Sequence, residues 1–276
     1  MRVVQTFALV ICLLILSAIA LSQQTLVQEF PEGAIDWSNM TMNAQGIGIP
    51  NPELSPARQR VSAVISARED ATDKLLSIFK NLNFDSEAKI NDILSASEIA
   101  SNQVENSILE IKTISMPCLM ADSSILIDAE YVLKGKIINA ILAPTGARFA
   151  ELAAASQSRA PESLYTGLIV DCRERSIAYA IAPKILDENG QEIYGLGLAD
   201  RKPALKLGLI QYVTNENDAL LRVGEKPITV RGLSVSGKAG CDIVISESDA
   251  SLLISFRDNL DFLNQCRVAF LVNQEL

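Results

Sequence analysis

The stretch YTGLIVDCRERSIAYAIAPKILDENGQEIYG, residues 165–195, decides the fold. It reads as strand, crossing segment, strand, tight turn and return strand. Leu168, Ile169 and Val170 make an apolar run between Gly167 and Asp171, the pattern of a buried strand. Further on, Lys184-Ile185-Leu186 and Glu192-Ile193-Tyr194 flank Asp187-Glu188-Asn189-Gly190-Gln191. Asn-Gly takes positive φ at both central positions of a type I′ turn, whose twist matches paired strands, so a hairpin is expected here. Asp187, Asn189 and Glu192 are oxygen donors near a glycine, but their spacing is not that of a twelve-residue calcium loop.

Toward the C-terminus, residues 195–203 read as loop, with Arg201 and Lys202 on a solvated turn rather than at an anion site. Strands follow at 207–213, 227–235, 241–245 and 267–272, with a short helix at 217–222 ending near Gly224. Ser246 and Asp249 have capping-box spacing ahead of a helix that buries Leu253, Phe256, Leu260 and Leu263. Strand, helix, strand at the end permits a right-handed crossover; the other pairings are expected to be antiparallel.

Toward the N-terminus, residues 144–163 are rich in Ala, Ser and Arg and read as a linker. Before it, residues 35–143 form a first domain. An entry strand over 37–49 ends in Gly46-Ile47-Gly48, read as a turn because no third glycine opens a helix. Ser55-Pro56 starts a helix, Ser as cap and Pro in the first turn. Val61, Val64, Ile65, Ala71, Leu75, Phe79 and Leu82 recur at three- and four-residue steps and mark its buried face. A shorter helix uses Ile90, Ile93 and Leu94, and Ser97 caps a further turn. Strand-like runs at 108–116 and 124–133 enclose a hairpin loop. Asp128 and Glu130 share a strand face; paired carboxylates serve acid–base chemistry, and a solvated face explains them as well.

The fold class is therefore α+β: two small domains, each a mostly antiparallel sheet packed with helices, after a cleaved signal peptide at 1–22, with the second domain at 164–276. Arg2, an apolar run from Phe7 to Leu21 and small residues near Ser22 give the export signal. That run is short for a membrane span of about 20 residues, so no span is expected after cleavage. Cys12 sits inside the apolar run rather than at the cleavage point, which argues against a lipid anchor.

The chain has 276 residues, 49% hydrophobic and 21% charged, with net charge −9 and no histidine. The charge and the lack of a basic stripe argue against nucleic acid. The absence of histidine removes Ser-His-Asp and Cys-His catalysis and the common histidine-containing zinc sites. No catalytic, cofactor or metal residues are assigned. Cys172, beside Arg173 and Arg175, is the best nucleophile candidate, since nearby cations lower a thiol pKa. Export permits disulfides among Cys118, Cys172, Cys241 and Cys266. A Cys241–Cys266 bridge is one reading, if both open neighbouring strands; buried free thiols are the other.

Asp36-Trp37, Ala44-Gln45-Gly46-Ile47-Gly48 and a long helix carrying Ala67-Arg68 and Ala71 resemble the N-terminal module of the LPP-twenty-type bacterial envelope lipoproteins, a group that includes FlgP-type flagellar outer-membrane proteins. The resemblance covers residues 35–143; the second half looks like the extension in longer relatives. It implies a small α+β module, envelope or flagellar protein partners and homo-oligomeric assembly. The chain departs from the family in lacking the lipidated cysteine. On this basis a non-enzymatic, exported, periplasmic or outer-membrane-associated protein with a structural or assembly role is expected. The alternative is a periplasmic binding module for a small molecule or peptide.

Overall fold

A computed structural model describes residues 25–145, 165–255 and 261–273, so the expected signal segment and most of the expected linker lie outside the described residues. The first region runs β1 (Val27–Phe30), β2 (Gly33–Asp36), β3 (Thr41–Gly48), α1 (Pro56–Asn81), α2 (Ile90–Ala96), α3 (Glu98–Ile108), β4 (Lys112–Thr113), β5 (Cys118–Leu119), β6 (Ile125–Val132) and α4 (Lys136–Leu142). Its sheet has the order β1-β2-β3-β6-β4, with β5 also on β6. Every pairing in it is antiparallel. The sheet begins with β1, ahead of the boundary expected at residue 35.

Gly46 and Gly48 lie inside β3 rather than in a turn. They are there because α1 lies almost on the strand's backbone. A Cβ on Gly46 would stand 1.9 Å from the Ala67 carbonyl oxygen, and one on Gly48 1.8 Å from that of Ala63. The buried stripe of α1 is accordingly Ala63, Ala67, Ala71, Leu75, Ile78 and Phe79. Val61 and Ile65, expected in the core, are exposed. Close backbone approach selected the small side chains over the bulky ones. Ser55 precedes the helix without a side-chain capping bond. Arg68 donates to the carbonyls of Leu109 (3.2 Å) and Ile111 (2.8 Å), tying α1 to the end of α3.

The second region runs β7 (Gly167–Asp171), β8 (Ile185–Leu186), β9 (Glu192–Tyr194), a 3₁₀ turn at Leu196–Leu198, α5 (Arg201–Leu207), β10 (Gln211–Val213), α6 (Glu216–Val223), β11 (Pro227–Arg231), β12 (Ser234–Ser236), β13 (Asp242–Val244), α7 (Glu247–Ser255), α8 (Asp261–Asn264) and β14 (Val268–Leu271). The mixed α+β class holds, but the expected antiparallel pairing does not extend to the main sheet here. Its order is β10-β14-β7-β11, parallel throughout. The reason is burial on both faces, the condition under which parallel sheets occur. Ile169, Ala269 and Leu271 pack with Ala219 and Val223 of α6. Leu168, Val170, Val268 and Phe270 point the other way into the large core.

The smaller sheet, β12-β13-β8-β9, contains the 187–191 hairpin. The turn is not type I′: Gly190 has φ +80°, and Asn189 is not among the residues of positive φ. Asp187 closes it instead. Its Oδ1 accepts from Asn189 N (2.9 Å) and Gln191 N (2.7 Å), which leaves no calcium loop. Ser246 caps α7 as expected, accepting from Asp249 N at 3.1 Å; the expected core positions Phe256 and Leu260 lie outside the described residues. The final strand–helix–strand run joins β13 in one sheet to β14 in the other, not two strands of one sheet. Arg201 and Lys202 open α5 rather than a loop, and Arg201 bonds to Asn139 of α4.

The two regions share an interface. Trp37, Tyr179, Tyr212 and Phe270 form a ring column with centroid spacings of 5.5 Å, 4.7 Å and 5.9 Å. Tyr212 Oη accepts from Ala180 N (3.0 Å) and donates to Ala180 O (3.2 Å). Ile181 N donates to Asn83 O (3.0 Å) and Ala182 N to Phe84 O (2.6 Å), joining the backbones across the boundary.

Candidate functional site: the cleft between the regions

Where α1 ends, Asn83 pairs with Ala180 as an isolated bridge, and a cleft of about 370 Å³ opens beside it. Gln28 and Asn83 of the first region form one wall; residues 175–179, Gly240, Val272 and Asn273 of the second form the rest. The segment 175–179 follows β7, and Val272-Asn273 follow β14. The cleft therefore lies beyond the carboxyl ends of neighbouring parallel strands, where open α/β sheets place their ligands.

The side chains here are held by backbone. Arg175 donates through Nε to Leu233 O, and through Nη1 to Glu174 O at 2.8 Å. Its side chain is 31% exposed, Nη1 also lies 4.0 Å from Glu174 Oε2, and Nη2 makes no hydrogen bond among the described residues. Asn83 Nδ2 donates to the Tyr179 carbonyl (3.0 Å), and Asn273 Nδ2 to the Arg173 carbonyl. Gln28 Oε1 accepts from Trp37 Nε1 (2.9 Å), which turns its amide nitrogen free of that bond. Ser176 and the Tyr179 hydroxyl make no side-chain bond among the described residues. The lining carries one formal charge, the Arg175 guanidinium, in a chain of net charge −9. A set of uncommitted donors around one cation suits an acceptor-rich, anionic group such as a carboxylate.

Cys172 is not an activated nucleophile. It is fully buried, and burial, with the Asp171 carboxylate second, pushes its thiol up to about 12. Arg173 is spent on Asp171, whose carboxyl it holds below the usual range. Asp242 is nearly buried, which raises its carboxyl; the Lys184 N–H (2.8 Å) anchors it at the start of β13. Of the two readings of Cys241 and Cys266, the bridge is not formed: all four described cysteines are free, and these two are buried thiols. The two residues precede strands of different sheets, Cys241 beside the Tyr179 carbonyl and Cys266 beside that of Asn264. Asp128 and Glu130 do share the solvent face of β6, where Asp128 accepts from Gln45 Nε2 (2.9 Å). Among the described residues no group of three or more His, Cys, Asp or Glu is placed to hold a metal, and no helix is long and apolar enough to cross a membrane.

The sequence reading missed the cleft. Its lining is spread over residues 28 to 273, and none of it forms a motif. The nearest signal was the position of Arg175 just past a buried strand.

The fold and cleft define an α+β protein whose parallel sheet presents a polar pocket at its carboxyl end. Residues 167–274 match the family model described as Treponema pallidum Tp0624, second domain. The likeness starts at the first residue of β7 and runs past β14, so it takes in both sheets of the second region and none of the first. No curated protein matches the chain.

Proposed function

We propose that this chain is a non-enzymatic exported protein of the bacterial cell envelope that works by binding, and that the inter-region cleft seats a carboxylate-bearing small molecule or peptide. The observation that carries the reading is the guanidinium of Arg175, pinned by two backbone carbonyls, with Glu174 Oε2 4.0 Å from Nη1 and Nη2 left without a hydrogen bond among the described residues, in a cleft whose lining holds no acidic residue. Export rests on the N-terminal signal pattern. The structural or assembly role, flagellar version included, rests on the resemblance of residues 35–143, and a peptide seated in the cleft is compatible with it.

The test is thermal melting and calorimetry with a mixed tripeptide library bearing free C-termini, and with its amidated counterpart. A ligand at a hundred times its Kd stabilises by about 2.7 kcal/mol. Free-acid peptides should raise Tm, amidated ones should not, and Arg175→Gln should weaken binding at least tenfold. Equal responses to both libraries, or an unchanged response in Arg175→Gln, would remove the assignment. For the flagellar version, a clean gene deletion that swims normally with intact motors would be decisive against it.

A further inference from the structure

The segment that lines the second region's side of the cleft has main-chain hydrogen-bonding groups left over. Residues 176–179 contain no turn, no bend and no positive φ. Ala178 N donates to Gly240 O at 3.0 Å. Tyr179 O accepts from Asn83 Nδ2 at 3.0 Å, from the first region's wall. In an extended chain, successive residues aim their N–H and C=O groups to opposite sides. Ala178 therefore spends its N–H toward Gly240, and Ile177 and Tyr179 aim their groups toward the Asn83 wall. On that side the N–H and C=O of Ile177 and the N–H of Tyr179 make no hydrogen bond among the described residues. Ile177 is 8% and Tyr179 5% exposed. Residues so buried nearly always pair their main-chain groups, and both of these line the cleft.

A donor and an acceptor on one residue, with a further donor two residues on, is the open half of an antiparallel ladder. A lone hydroxyl or amide meets one of these groups; a second extended main chain meets all three at the strand repeat, which is how peptides add to an open edge. Arg175 fixes the direction. It stands two residues before Ile177, about 7 Å along an extended chain, and lines the same cleft. A terminal carboxylate on its guanidinium sets the C-terminus of the added chain there, so that chain runs opposite to residues 175–179. The residue facing Ile177 is then the third from its C-terminus, and the one facing Tyr179 is the fifth.

We propose that the cleft takes the C-terminal end of an extended peptide, laid antiparallel against residues 176–179. The third residue from its end exchanges both main-chain bonds with Ile177, and the fifth accepts from Tyr179 N. This rests on the carboxylate reading of the cleft and narrows it from carboxylates at large to peptides. Main-chain contacts make the recognition tolerant of sequence at those residues and strict about chain direction and a free end.

The experiment is calorimetry with acetyl-pentaalanine as the free acid and with four relatives. Two are esters, with oxygen in place of the N–H of the third or of the second residue from the C-terminus; the others are the C-terminal amide and N-acetylalanine. The third-residue ester should bind about tenfold more weakly, because it leaves the Ile177 carbonyl without its donor. The second-residue ester should bind like the parent, since that N–H points away from residues 176–179. N-acetylalanine, with a carboxylate and no chain to pair, should bind at least tenfold more weakly. Saturating acetyl-pentaalanine should slow deuterium exchange at the Ile177 and Tyr179 amides at least tenfold. Two esters of equal affinity, N-acetylalanine as tight as the pentapeptide, or unchanged exchange at both amides would each overturn the pairing, and with the amide inactive the carboxylate reading would stand. An amide that binds as well as the free acid removes the carboxylate reading itself, and no binding by any of the five refutes both.

Discussion

Substituting Gly46→Ala tests the strand–helix contact on which the first region is built. The new Cβ would lie 1.9 Å from Ala67 O and 2.8 Å from Ala71 Cβ. Neither neighbour is a flexible side-chain tip, so relief requires α1 and β3 to part. Reaching even 3.0 Å from that oxygen opens the gap by 1.1 Å (3.0 minus 1.9). A gap of 0.5–1 Å already forfeits about a quarter to a half of each contact's dispersion well. The stripe affected includes Ala63, Ala67, Ala71 and Leu75. Overpacking costs about 1–3 kcal/mol and sometimes more; the stiffening of the unfolded chain by Ala gives back about 0.5–1 kcal/mol. The net expectation is a loss of about 2 kcal/mol, toward the upper end of that difference because the clash is with backbone. Urea unfolding followed by far-UV circular dichroism and by the emission of Trp37, the single tryptophan, reads this directly. With a slope of about 3 kcal/mol/M the midpoint should fall by about 0.7 M. Gly190→Ala, with φ +80° and nothing within 4 Å, is the control and should cost about 1 kcal/mol through backbone strain alone. A Gly46→Ala shift no larger than the control's would refute the close-approach explanation.

Three further outcomes follow from other parts of the molecule. Burial pushes the thiols of Cys172 and Cys241 up to about 12 from an ordinary value of 9.0. The unfolded chain therefore releases those protons first. Their stabilisation is complete below pH 9 and is lost as pH rises toward 12, by about 1.4 kcal/mol per pH unit for each thiol. The urea midpoint should fall less steeply above pH 9 in Cys172→Ala than in the unaltered protein. Tyr212→Phe removes both bonds to the buried Ala180 backbone and should cost about 2–3 kcal/mol in the same titration. Among the four described cysteines, native protein should react with a thiol reagent quickly at Cys118 alone; Cys172, Cys241 and Cys266 should react only in denaturant.

Much of the fold was legible where one local rule dominated. The long helix, the Ser246 cap and the buried run at 168–170 are readable from spacing and capping chemistry; the 187–191 hairpin is readable as a hairpin, though Asp187 and not a type I′ Asn-Gly pair closes its turn. The helix face was misread because apolar bulk was weighed above backbone distance: Val61 and Ile65 look like core until Gly46 and Gly48 bring the strand against the alanines. The parallel sheet was missed because pairing direction is a tertiary property; β7 and β14 read as buried strands under either arrangement. The short helices α4 and α5 were missed because seven residues carry too little periodicity. The cleft has no local signal, since Gln28 and Arg175 meet only after the regions have docked.

The ring column from Trp37 through Tyr179 and Tyr212 to Phe270 has a consequence for what counts as a unit of this protein. The stretch similar to a known domain, residues 167–274, contains three of those rings and lacks the fourth. It also lacks Asn83, Phe84 and Ser86, which accept backbone hydrogens from the second region. The module that sequence comparison delimits is thus smaller than the piece that folds. Expressed by itself it would present a greasy, half-satisfied wall to solvent, whereas two polypeptides divided between residues 145 and 165 retain every one of these contacts on reassociation. The second-region polypeptide is therefore expected to fold only when the first-region polypeptide is present to supply Trp37, Asn83, Phe84 and Ser86.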